Sequence, residues 1–326
     1  MPSHPGRLRG LDLARSCSRA ACPAPRRRAS VLVLGALLLL AEPAAAFCKA
    51  TTCKPAEGVT CATDENGCPT SGATLEWPRR CVSFGVQQDG SAKRGISYEK
   101  FDAIVRTAFQ QWLAVDCGDG RHPSISLWDM GDTDGAIVCN KPEFNQTAPN
   151  ANAWILRDGD WPYHDPASAF AHTTLTYEPS TGHLLDVDVE INSSGVELTT
   201  DDLAIVADLQ SIATHEAGHF LGLSNSSDPE ATLSGSYSPA SRSARSLSPD
   251  DKNGICSLYP PDRDAPACGN PSPSNGFSRY CAGATEPSGC SLAAPRSGRP
   301  AGADALALLG LSGWLVRGRR SSRERR

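Results

Sequence analysis

The chain has 326 residues, 36 Asp and Glu against 31 Lys and Arg, and a formal net charge of −5, enough length for one large domain or two small ones. The charge is unevenly laid out, because residues 47–289 hold 32 acidic and 16 basic side chains, a net of −16, while both ends are basic. An acidic body argues against nucleic acid or an anionic membrane surface as its partner and suits an exported soluble protein.

Residues 1–46 carry seven arginines, then the apolar run 31–41, then Ala44, Ala45 and Ala46. That order reads as a secretory signal peptide, and the apolar run is well short of the ~20 residues a membrane span needs. Of the 13 cysteines, Cys17 and Cys22 fall in this presequence and Cys290 lies near the other end. The ten between them are Cys48, Cys53, Cys61, Cys68, Cys81, Cys117, Cys139, Cys256, Cys268 and Cys281. An even set in an exported chain predicts up to five disulfides, and no paired C-x-x-C units offer a zinc cluster instead.

Residues 47–76 form a cysteine-dense N-terminal extension with a turn at Asp64, Glu65, Asn66 and Gly67. Globular texture runs over 77–261. A strand is expected at 81–86, then a helix capped by Ser97, with Phe101, Ile104, Val105, Ala108, Phe109 and Trp112 on one buried face. Further strands are expected at 124–128, 153–156, 171–177 and 184–191, the last two joined by a turn at Thr181 and Gly182. Strands and helices are segregated, so the fold class is α+β, a sheet packed on helices. Residues 262–289 are rich in Pro, Gly and Ser and read as a linker or stalk. Residues 290–326 hold a short apolar run between Cys290 and a basic end.

The chemistry lies in the helical stretch 209–223, which Asp208 can cap. His215 and His219 stand four apart and so share a helix face, letting two imidazoles converge on one tetrahedral Zn²⁺. Glu216 points to the side, where it can act as general base on a water bound to that metal. Gly222 lets the helix stop in a left-handed turn and send the chain back beneath the metal.

Together with Phe220, Leu221 and Leu223, these residues resemble the matrixin branch of the metzincin zinc peptidases (M10 type). The resemblance covers roughly residues 77–261. It includes Thr181 and Gly182 with the run 186–192, similar to the strand before the active-site helix. It also includes the run 247–251 with Gly254, Ile255, Leu258, Tyr259 and Pro260, similar to the family's closing helix, where Ser248 and Asp251 fit as cap and third helical residue. The resemblance implies a metzincin-like α+β domain with a twisted mixed sheet, and a zinc-dependent endopeptidase acting on protein or peptide substrates, secreted as a monomer. Its cleft would run along the sheet edge, where a peptide adds as a strand.

Two positions depart from the pattern. The third ligand, a histidine in the family, falls on Asn225, a neutral amide and a poorer zinc ligand, with the carboxylate of Asp228 as substitute. The methionine of the family's turn falls on Leu233, of near-equal volume. The alternative reading is therefore a catalytically degenerate surface-binding module on the same fold. Residues 290–326 resemble myxobacterial C-terminal sorting tails, which would make Cys290 an anchoring point at the cell surface. His164 and Asp165 with His172 and His183 are candidates for a second zinc, though ordinary surface or strand histidines fit their spacing better. Asp186, Asp188, Glu190 and Asn192 share a strand face and are candidate Ca²⁺ ligands, with solvated strand charges the plainer reading.

Overall fold

The computed structural model describes residues 46–54, 59–132, 134–163, 170–236, 239–269 and 271–281, and the backbone of a strand at 307–311. The expected signal peptide up to residue 45, Cys290 and the pair His164 and Asp165 lie outside the described residues. Among those described, no helix is long and apolar enough to cross a membrane.

The elements in chain order are β1 (Cys48–Lys49), β2 (Cys81–Val86), α1 (Tyr98–Leu113), β3 (Ser126–Asp129), β4 (Ala153–Leu156), β5 (Ala171–Tyr177), β6 (Leu184–Ile191), β7 (Leu198–Thr199), β8 (Ala207–Asp208), α2 (Leu209–Phe220), β9 (Leu223–Ser224), α3 (Pro249–Leu258) and β10 (Ala307–Leu311). The main sheet is mixed, in the order β10-β5-β6-β4-β2-β3. Strand β2 runs parallel to β3 and β4, and β4 parallel to β6, while β5 and β6 form an antiparallel hairpin. This is the expected α+β metzincin-like architecture.

Alternation along the strands decides what each face meets. Leu175 and Tyr177 of β5 and Val187, Val189 and Ile191 of β6 turn inward to the core that α1 and α2 complete. There Phe109 meets Phe84, Trp154 and Phe220 at ring-centroid distances of 4.8, 5.4 and 5.0 Å. Each such fully buried apolar side chain contributes about 1.5–3 kcal/mol. Ser97 caps α1 by accepting from Lys100 N (3.3 Å). All six residues predicted for its inner face are buried.

The opposite face of β6 corrects one expectation. Asp186, Asp188 and Glu190 do alternate on it, but they are buried rather than solvated. Asp188 accepts from Ala153 N and Glu143 N (both 2.9 Å), and Glu190 from the Tyr163 hydroxyl. Burial pushes Asp188 up to about 7, and burial with the neighbouring Asp188 raises Asp186 well above the usual carboxylate range.

Five disulfides form from the ten cysteines: Cys48–Cys68, Cys53–Cys61, Cys81–Cys268, Cys117–Cys256 and Cys139–Cys281. The stretch read as a linker is held to the body up to Cys281 by two of them and by main-chain bonds such as Val138 N to Arg279 O (2.8 Å) and Asn150 N to Gly276 O (3.0 Å). The N-terminal extension is similarly tied in, β1 pairing antiparallel with β9 just beyond the metal helix.

Candidate metal centre

Helix α2 starts where Asp208 accepts from Ser211 N (2.8 Å), a carboxylate also gripped by Arg245 at 2.5 and 2.8 Å. Its middle and its far end are held by three side chains from other parts of the chain. Trp112 Nε1 donates to Thr214 O (2.8 Å), Trp77 Nε1 to Phe220 O (2.9 Å), and the Tyr259 hydroxyl to Leu221 O (2.7 Å). Gly218 lets Trp112 of α1 and Leu233 pack directly on the helix, since a Cβ there would lie 2.7 Å from Trp112 and 2.8 Å from Leu233. Leu233, at the position that the resemblance gives to the family's methionine, is buried against that glycine.

The two imidazoles converge as the spacing predicted, with Nε2 atoms 3.0 Å apart. His215 Nδ1 lies 2.7 Å from Thr232 O and His219 Nδ1 2.9 Å from Leu223 O. A carbonyl only accepts, so both Nδ1 atoms carry a hydrogen, and in the neutral rings that bind a metal both Nε2 atoms present lone pairs. Burial, followed by the effect of His215, pushes His219 down to about 3, so that ring is neutral at pH 7. Two facing lone pairs at this separation repel unless a cation lies between them. Ligands on Zn–N bonds of 2.0–2.1 Å at a tetrahedral angle stand about 3.3 Å apart. The donor pair therefore fits zinc.

Gly222 takes φ +96° and turns the chain back, its N–H bonding His219 O (2.9 Å). Beyond β9 the Asn225 amide lies beside His219, and its Oδ1 is buried with no hydrogen-bond partner. A buried amide oxygen beside the His219 imidazole suits a third ligand. Asp228 is placed differently: its Oδ1 accepts from Glu230 N (2.9 Å) in a local turn. Among the described residues no carboxylate, thiolate or further imidazole has an atom within 4.8 Å of both histidine nitrogens.

Carboxylates of α3 hold the segment around the site. Asp251, fully buried, accepts from Thr232 N (2.7 Å), Leu233 N (3.1 Å) and Ser248 N (2.8 Å), so the helix cap also fixes the carbonyl that orients His215. Asp250 accepts from Ala46 N, Phe47 N and the Ser226 hydroxyl (2.8, 2.9 and 2.6 Å), anchoring the residue next to Asn225.

Glu216 is buried, and its Oε2 accepts a 2.5 Å hydrogen bond from Thr173 of β5. Burial raises its pKa above the ordinary range, opposed by His215, Thr173 and His172. A cavity of about 130 Å³ opens beside His215, lined among others by Thr232, Ser234, Ser241 and Ser243.

Among the described residues the other histidines of the candidate second zinc site, His172 and His183, do not come together. His172 stacks on Tyr163 (3.7 Å between centroids) opposite Glu190, whereas His183 lies in the turn at the other end of the β5–β6 hairpin. Of the candidate calcium ligands, Asp186 and Asp188 hydrogen-bond to each other, whereas Glu190 meets the Tyr163 hydroxyl and Asn192 accepts from the Ser194 hydroxyl and Gly195 N. Sequence reasoning missed Thr173, Asp250 and the second role of Asp251. The acidic pair at the start of a capped helix was the visible signal for the last two, and nothing local marked Thr173.

Comparison with known proteins shows what this region of the chain resembles. The family model described as Matrixin (Peptidase_M10) matches residues 151–260, which include β5, β6, α2 and α3. The chain is 31% identical over 192 residues to Metalloendoproteinase 1-MMP of Arabidopsis thaliana, covering 57% of this chain and 45% of that protein. It is 34% identical over 99 residues to human Matrilysin (30% and 34% covered) and 36% identical over 114 residues to Stromelysin-1 of Rattus norvegicus (34% and 22% covered). The chain thus spans less than half the length of these relatives. Matrixins are zinc-dependent, and the region built around His215 and His219 is similar to a matrixin metalloprotease domain, on an α+β metzincin-like fold.

Proposed function

We propose that this chain is an exported zinc endopeptidase, with His215, His219 and Asn225 holding the metal and Glu216 serving as general base. The observation that carries the reading is the pair of Nε2 lone pairs 3.0 Å apart on the same helix as a buried carboxylate. When bound, zinc supplies a Lewis acid that activates water at neutral pH and polarises a peptide carbonyl. Glu216 takes the proton of the attacking water and returns it to the departing amine. Peptide is oriented along β5, the strand that carries Thr173 to Glu216. Backbone pairing of residues 307–311 with 173–177 is antiparallel, the mode in which an extended substrate would add to that edge. Export through the signal peptide agrees with the five disulfides, and residues 290–326 are proposed to anchor the protein at the cell surface.

The test is cleavage of denatured protein and of a peptide library by the zinc-loaded protein and by Glu216→Gln. Turnover that disappears in the variant, with zinc still bound, is the expected result, and equal turnover in both removes Glu216 from the reaction. A second reading, a surface-binding module without turnover, rests on Asn225, whose neutral amide holds zinc less tightly than a histidine. Zinc-loaded wild type that cleaves nothing would favour it.

A further inference from the structure

We infer that Thr173 is a positioning residue that sets the rotamer of Glu216, an inference that rests on the proposed peptidase function. Thr173 shares the helix-facing side of β5 with Ala171, Leu175 and Tyr177, which all pack on the apolar core. Thr173 brings a hydroxyl to that row. Thr173 is fully buried, and a valine of the same shape would pack there without a polar atom. The hydroxyl is used on Glu216 Oε2, at 2.5 Å.

The donor is rigid at every level. Thr173 lies opposite Val189 in the β5–β6 ladder, which fixes its backbone, and its β-branch restricts χ1. It has one hydrogen to give, and giving it to Oε2 leaves Oε1 as the oxygen that can meet water. Glu216 is carried on α2, and the hydrogen bond from the strand is the contact that stops the carboxylate rotating about its side-chain bonds. Geometry of this kind matters because a general base must lie within hydrogen-bond reach of the proton it takes, and a misplacement of about 1 Å can cost 100-fold in rate.

The experiment compares zinc-loaded wild type, Thr173→Val and Thr173→Ser on a fluorogenic peptide, with zinc affinity and a crystal structure of each. Thr173→Val is expected to lower kcat about 10- to 100-fold with KM within about twofold, while Thr173→Ser restores kcat. Zinc affinity should not change, and the Glu216 carboxylate should rotate away in the Val variant alone. A kcat that survives in Thr173→Val, a loss that follows zinc affinity, or a serine that fails to rescue would each overturn the inference. Should wild type prove unable to cleave any peptide, the proposed function fails by itself. The crystal structures then decide on Thr173, an unmoved Glu216 in Thr173→Val overturning the positioning role and a displaced one supporting it.

Discussion

Gly222→Ala tests the turn that closes the metal helix. The residue sits at φ +96°, where an alanine costs about 1–2 kcal/mol. A Cβ would also lie 2.4 Å from Leu75 O, well inside contact distance. Leu75 cannot retreat freely, because its N–H bonds Ala50 O (2.8 Å) while Ala50 N bonds Gly222 O (2.9 Å). Relieving the clash therefore breaks at least one of these bonds, each worth about 1 kcal/mol, and opens buried packing besides. The sum is about 3–5 kcal/mol, and for a domain of this size each kcal/mol lowers Tm by roughly 2–4 °C, a fall on the order of 10 °C. Gly95→Ala is the internal control, since Gly95 also has positive φ (+64°) but nothing within 4 Å of a Cβ. It should show only the conformational part, about 1–2 kcal/mol. Calorimetry with disulfides intact gives both values, and zinc titration should show weaker binding for Gly222→Ala, because the turn carries Asn225 to the histidines. A Gly222→Ala protein that melts with Gly95→Ala and binds zinc like wild type would refute the reasoning.

Other outcomes follow from the same structure. Asp251→Ala leaves two buried N–H groups and a half-buried one without an acceptor and should cost several kcal/mol, at about 1–3 kcal/mol per buried partner lost, read by urea denaturation. His172 is held at about 4 by burial against an ordinary value near 6.5. The unfolded chain binds that proton first, so its contribution is present above pH 6.5 and is lost as pH falls towards 4, by up to about 3 kcal/mol. Asp188, raised to about 7, slopes the other way, favouring the folded state at low pH and losing that contribution as pH rises through 7. The difference in stability between wild type and His172→Phe across pH 4–7 isolates the histidine, and a pH-independent difference would contradict its burial as a neutral ring. A chain ending at residue 289 frees the β5 edge of residues 307–311, so KM for an extended peptide should fall while kcat stays constant, as steady-state kinetics would show.

Features set by neighbours in sequence could be read from the chain. The α1 face, the caps Ser97, Asp208 and Ser248, the β5–β6 hairpin and the convergence of His215 with His219 all follow from 3.6- and 2-residue periods and from capping chemistry. What escaped reading is long-range. Thr173 lies 43 residues before Glu216, and nothing in its tripeptide says that its hydroxyl meets a carboxylate on another element. Alternation placed Asp186, Asp188 and Glu190 on one face but could not say that the segments around Glu143 and Tyr163 cover it. Ten cysteines allowed five bridges without naming partners, and the bridge from Cys81 to Cys268 joins residues 187 apart. At the third ligand position the sequence left Asn225 and Asp228 open, and only folded geometry sets the amide beside His219 and the carboxylate in its own turn.

The most direct measurement is the zinc content and affinity of the purified, disulfide-intact protein at neutral pH, alongside His215→Ala and His219→Ala. One zinc per wild-type chain, lost in either variant, is the predicted result. Wild type that stays metal-free under saturating zinc, or variants that bind as wild type does, would contradict the assignment of this helix as the metal site.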